Sequence, residues 1–266
     1  MLSKRLVSTA AICLLLVGGT AACGSSKSDG KSGDAKGDTK ASSAEKLDTD
    51  KLSAQEIEKK AKDALATATS LRMAGTIDTG KGAMELDLSM DDKSQCTGTI
   101  GMPGMGKFEM ISDGKTSYVK PDTAFWTNAG GPNGAKAAEM FKGRYLTGFE
   151  SDPSMGSLTK MCDLGDFGKK IADGGVSGKT EKGSAGDVNG VKTFSLKTTD
   201  AQGESSTLQV ATEGKPYPVQ IEHSGAKDGN GKIGFSNYDK PLTIQVPPAD
   251  QTIDFSKFKD QMKKPA

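Results

Sequence analysis

LRMAGTID (71–78), GAMELDLSMD (82–91), CTGTIGM (96–102), KFEMIS (107–112) and TSYVK (116–120) decide the fold of this chain. In the second of these segments Met84, Leu86, Leu88 and Met90 alternate with Glu85, Asp87 and Ser89. A period of two places four apolar side chains on one face of a sheet and the polar ones on the other. Asp78-Thr79-Gly80, Met102-Pro103-Gly104 and Asp113-Gly114 supply turns between the segments, and Asp-Gly is a strong hairpin signal. The stretch therefore predicts an antiparallel meander. It also holds six of the chain's 11 methionines. Methionine is unbranched and polarizable, so such a wall suits either an irregular core or an adaptable surface for an apolar ligand. Both readings stay open at this point.

Upstream, Ser53-x-x-Glu56 has the form of a capping box, in which each side chain satisfies an orphan N–H at a helix start. Ile57, Ala61, Ala64, Leu65 and Ala68 follow at helical spacing, opposite a charged face. Downstream, Thr123–Thr127 (TAFWT) continues the extended pattern and a Gly/Asn loop follows it. Ala135–Lys142 and Leu158–Ile171 read as helical pieces. Strands return at 175–182, 184–189, 191–199, 205–212, 217–223, 230–238 and 242–246, with Asn-Gly and Glu-Gly turns between several of them. Their Thr, Ser and Lys content marks 175–238 as a polar face suited to docking. The sole histidine, His223, reads as a solvent-facing strand residue. Helix, strands, helical insert, strands is an α+β class built on one long antiparallel sheet.

The first residues carry a different signal. Lys4 and Arg5 precede an apolar run, Leu6–Val17, too short to span a bilayer. Thr20-Ala21-Ala22 then precedes Cys23, an order that resembles a bacterial lipobox, although Thr20 stands where leucine is usual. The resemblance implies a signal peptide over 1–22 and acylation of Cys23 with diacylglycerol and palmitate-type chains. An ordinary secretory signal cut after Ala22 is the alternative. Residues 23–52 are rich in Gly, Ser, Lys and Asp, with charges that balance, and read as a disordered tether of roughly 30 Å root-mean-square span. The folded domain is expected over 53–258, with a basic tail at 259–266.

Four cysteines are present. Cys13 leaves with the signal and Cys23 takes the lipid, which leaves Cys96 and Cys162. An exported domain left with two cysteines usually pairs them. Two separate free thiols are the alternative.

With net charge +1, nothing points to nucleic acid as a partner. No metal-ligand cluster, nucleophile elbow or phosphate loop is present, so catalysis, a metal and a cofactor have no support in the sequence.

SLRMAGTI (70–77) after the entry helix, DGKTSYVKPDTAFW (113–126), the helical insert and the closing PLTIQVPP (241–248) are similar to the LolA/LppX/LprG superfamily of bacterial lipoproteins. The resemblance covers roughly Ser53–Asp254. It implies a half-barrel sheet curved around an apolar cavity, with the N-terminal helix and the helical insert on the concave side. It also implies lipid or lipoprotein carriage, or a role as a non-catalytic envelope sensor or interaction module with a protein partner, at the outer face of the plasma membrane. Cavity-lining candidates are Met84, Leu86, Leu88 and Met90, then Phe108 and Met110 on one parity, then Phe125, Trp126, Phe141 and Phe149. Plain core packing is their alternative.

Overall fold

The computed structural model describes residues 46–129, 131–149, 160–173, 178–225 and 229–257, all within one structural unit, Ser42–Ala266. The expected signal segment, Cys23, most of the tether and the basic tail lie outside the described residues. Residues 46–52, which composition assigns to the tether, belong to the fold. The Leu47 N–H donates to the Thr212 carbonyl at 3.0 Å, and the Leu47 side chain is buried against Ile57, Leu196 and Val210. One leucine with an apolar seat outweighs the polar average of its neighbours.

Helix α1 spans Ala54–Ala66. Its start is the expected capping box: the Ser53 hydroxyl accepts from the Glu56 N–H at 3.2 Å, and the Ser53 N–H donates to the Glu56 carboxylate at 2.7 Å. Ile57, Ala61, Ala64 and Leu65 are buried, as the helical spacing requires, and Ala68, expected on the same stripe, is buried just past the helix end in a cluster with Tyr217. The meander follows as β1 (Ser70–Asp78), β2 (Ala83–Asp91), β3 (Gln95–Met102), β4 (Gly106–Asp113) and β5 (Ser117–Pro121). On β2, Leu86, Leu88 and Met90 are buried. Glu85 and Asp87 sit on the other face, where Glu85 meets Lys107 at 2.9 Å and Asp87 takes a bidentate pair from Arg72 at 2.8 and 2.7 Å. The alternation read from the sequence is the alternation of the sheet.

TAFWT, expected as extended chain, is helical: α2 spans Thr123–Ala129. The cause is Asp122, one carboxylate oxygen of which accepts from the Phe125 N–H at 2.8 Å while the other takes the Lys107 N–H at 2.9 Å. An aspartate in the cap position offsets the strand preference of Thr, Phe and Trp. Helix α3 (Gly134–Phe141) and the short strand β6 (Tyr145–Thr147) come next. A 3-10 turn, Lys160–Cys162, leads into α4 (Leu164–Asp173). The expected strands 175–182 and 184–189 are one strand, β7 (Lys179–Val188), whose register shifts between Lys182 and Ala185. A β-bulge, not a turn, explains the Gly-Ser pair there. Then come β8 (Val191–Thr199), β9 (Ser205–Ala211), β10 (Pro218–Ser224) and β11 (Gly231–Ser236). The segment 242–246 joins no ladder, and the flanking Pro241, Pro247 and Pro248 offer no N–H to one. Instead β12 (Thr252–Asp254) pairs with β6, in parallel, at the sheet edge.

The described strands form one open sheet in the order β12-β6-β5-β4-β3-β2-β1-β11-β10-β9-β8-β7, antiparallel except at β6–β12. Two meanders thus meet at a seam, β1 against β11. Two strand glycines permit close approach. A Cβ on Gly75 would lie 2.0 Å from the Lys232 carbonyl oxygen across the seam, and one on Gly98 would lie 2.0 Å from the Asp87 oxygen. Asp239, just beyond β11, ties the seam to the entry helix. It accepts from the Thr69 N–H at 3.0 Å, the Tyr217 hydroxyl at 2.6 Å and Lys215 at 3.1 Å. A disulfide joins Cys96 on β3 to Cys162, with Cα atoms 5.4 Å apart.

Two predictions follow from these ties. Replacing both cysteines (Cys96→Ala with Cys162→Ala) should lower unfolding free energy by about 2–5 kcal/mol in urea titrations, and an unchanged midpoint would contradict that. The Tyr217 hydrogen bond first, then the Thr69 N–H, hold the Asp239 carboxyl down at about 2. A depressed carboxylate stabilises above its ordinary range and loses that contribution as pH falls from about 4 toward 2. Asp239→Asn should therefore show a smaller stability loss between pH 5 and 2.5 than the parent protein, and equal losses would show that the network contributes nothing.

Candidate functional site: an apolar cavity at the seam

The strands on either side of the seam turn one face toward a cavity of about 340 Å³. β1 contributes Met73 and Ile77, and β2 contributes Met84 and Leu86. β10 contributes Ile221 and His223, and β11 contributes Gly231, Ile233 and Phe235, with Gly229 just before it. The roof is Lys160 and Met161 of the 3-10 turn and Phe167 of α4, whose ring lies 6.0 Å from that of Phe235. Cys162 is the next residue after Met161, so the disulfide fastens the roof to β3. Such a volume sits at the small end of ligand-binding cavities.

The structure divides the ten lining candidates. Met84 and Leu86 line the cavity. Leu88, Met90, Phe108, Met110, Phe141 and Phe149 are packed into the core. Phe125 and Trp126 complete an aromatic stack. Phe125 meets Phe108 edge-on at 5.0 Å and Trp126 at 5.1 Å, and Trp126 stacks on Phe141 at 4.4 Å. Phe108 and Trp126 also border a separate hollow rimmed by Lys107, Lys120 and Asp122. The physical cause is the helical insert: α2 lies on β4 and β5, with α3 against α2, and their side chains fill the space in front of those strands. The Met-rich meander is thus core over one part and cavity wall over another.

The sequence reading missed the other wall. The segment 175–238 is not wholly a polar face. Ile221, Ile233 and Phe235 point at the cavity, and His223 is half-buried there instead of facing solvent. Period-two spacing (Val219, Ile221, His223; Ile233, Phe235) is the signal that could have found them. It is faint because the strands are short and carry glycine, glutamine and lysine between the apolar residues. Among the described residues Lys160 and His223 are the only titratable side chains on the lining. Among the described residues no group of three metal-ligating side chains converges, and no helix is long and apolar enough to cross a membrane. The arrangement can take up an apolar ligand by burial.

No family profile matches the sequence, and no curated protein matches it. Solved structures do match. LprF from Mycobacterium bovis superposes with a TM-score of 0.52 at 16% identity, covering 74% of this chain and 97% of that one. The Mycobacterium tuberculosis lipoprotein LppX gives 0.45 at 13% identity, covering 72% and 98%. A LolA superfamily protein from Nitrosomonas europaea gives 0.23 at 9%, covering 75% and 96%. This chain has the α+β fold seen in LprF, as the sequence resemblance implied.

Two tryptophan substitutions separate cavity from core. Leu88, fully buried, has no room, so Leu88→Trp should overpack the site and cost about 1–3 kcal/mol of stability. Ile233→Trp, directed into the cavity, should leave the thermal midpoint close to that of the parent. Equal, large losses in both would show that the cavity holds no usable space.

Proposed function

We propose that this chain, with its LprF-like fold, is a non-catalytic extracytoplasmic lipoprotein that holds a lipid or other apolar ligand in the seam cavity. Acylated Cys23 anchors it to the outer face of the bacterial plasma membrane, and the tether lets the domain reach ligands near that surface. The observation that carries the reading is the lining: among the described residues, every side chain on it apart from Lys160 and His223 is apolar. The lipobox-like order before Cys23 and the family resemblance support it.

Burial supplies the binding energy. Each methylene removed from water is worth roughly 0.8 kcal/mol. A chain burying about ten of them gains about 8 kcal/mol, against an association cost of at least roughly 4 kcal/mol. Binding of that strength is reversible, as carriage requires. A second reading, an envelope interaction module with a protein partner, draws on the modest cavity volume, since that role needs no large ligand.

Native mass spectrometry of protein purified without detergent should show a lipid-sized adduct that Ile233→Trp lacks. A ligand-free parent that is also unable to bind the neutral dye N-phenyl-1-naphthylamine would end the carrier reading. In the same cells, Cys23→Ala should move the protein from the membrane fraction to the soluble exported fraction. Retention in the membrane would contradict the anchor.

A further inference from the structure

Strand register orders the cavity along its length. One row across the four wall strands is Met84, Ile77, Gly231 and His223, each directly opposite the next. The next row is Leu86, Gly75, Ile233 and Ile221. A third is Leu88, Met73 and Phe235, where Leu88 is fully buried and closes the space. Rows two residues apart are about 6.6 Å apart, so the cavity runs about 13 Å from His223 to Phe235. The rows past His223 carry only apolar residues and glycine. Its own row includes Gly231, which adds no side chain beside the imidazole.

The charges are sorted as well. Three acids on the wall strands lie on the far face and are paired there, Glu85 with Lys107, Asp87 with Arg72 and Glu222 with Lys232, while Asp78 and Asp91, at the strand ends, accept turn N–H groups, from Gly80 and from Lys93 and Gln95. Among the described residues no acid lines the cavity. On the cavity side stand Lys160, exposed and in no ion pair with the described residues, and the His223 imidazole, half-buried. An ammonium and an imidazole N–H are both donors to an oxyanion, and charge-assisted hydrogen bonds of this kind are roughly twice as strong as neutral ones. The depth and small volume suit one hydrocarbon chain.

We infer that the ligand is a single-chain amphiphile with an anionic headgroup, a carboxylate or a phosphate, held at Lys160 and His223 with its chain running toward Phe235. This inference rests on the carrier reading above and gives it a ligand class.

The test is displacement of N-phenyl-1-naphthylamine from the full chain by palmitate, palmitoyl-lysophosphatidylglycerol and monopalmitoylglycerol, three ligands with one chain length and different headgroups. At least one of the two anionic lipids should compete at a tenfold or more lower concentration than the neutral one, and the anion that does so identifies the headgroup as carboxylate or phosphate. Lys160→Gln with His223→Gln should erase that advantage, and Lys160→Glu should reverse it, at thermal midpoints near that of the parent. Equal competition by all three lipids in the parent, or an anionic preference that survives both variants, would overturn the inference while leaving the carrier reading in place. Failure of the dye and of all three lipids to bind would end both.

Discussion

The antiparallel ladder between β1 and β11, from Arg72 opposite Ser236 to Ile77 opposite Gly231, holds the rest of the structure in place. It joins two meanders that are far apart in sequence into one sheet, and every cavity wall strand is either one of these two or the immediate neighbour of one. Ladders within each meander form between chain neighbours and are cheap in loop entropy, whereas this one closes a long stretch of chain. Supports therefore gather around it. Gly75 allows the strands to approach, and the Asp239 network fastens the end of β11 to the start of β1. Without the seam, the apolar residues of β10 and β11 would have no facing wall.

Helices then decide which parts of the sheet become core and which remain open. α2 and α3 fill the region in front of β4 and β5 with stacked aromatic rings, a dense apolar contact that leaves little room for a ligand. α1 covers β8 and β9 through Ile57, Ala61, Leu196 and Val210. Between these plugs, the described residues that roof the seam strands belong to the 3-10 turn and α4. The Cys96–Cys162 link, next to Met161, holds that roof over the sheet. A sheet filled at both flanks and spanned by a fastened roof in the middle yields a defined cavity of modest size.

Much of this was legible in the residues. The Ser53/Glu56 box, the alanine stripe of α1, the alternation on β2 and the pairing of the two remaining cysteines each rest on local pattern or simple accounting, and each is in the structure. TAFWT was misread because one capping aspartate outweighed four strand-favouring neighbours. The pair β6–β12 was invisible because each strand is three residues long and the partners lie far apart in the chain. Leu88 and Leu86 share parity, yet one is core and the other cavity wall. Parity names the face, and only the tertiary position of the roof and the insert says what fills the space in front of it. For the same reason His223 could not be told from a surface residue: its place on the cavity lining comes from the register that sets it opposite Gly231 and from the roof over those strands.

The central claim, a ligand chain lying along the seam, is tested most directly by photocrosslinking. A palmitate carrying a diazirine on its chain, bound to the full-length protein and irradiated, should label the cavity residues of β10, β11 and the roof, among them Ile221, Ile233, Phe235 and Phe167. It should leave Met110, Phe141 and Phe149 unmarked. Labels confined to the aromatic core over β4 and β5, or scattered over the outer face of the sheet, would contradict the account.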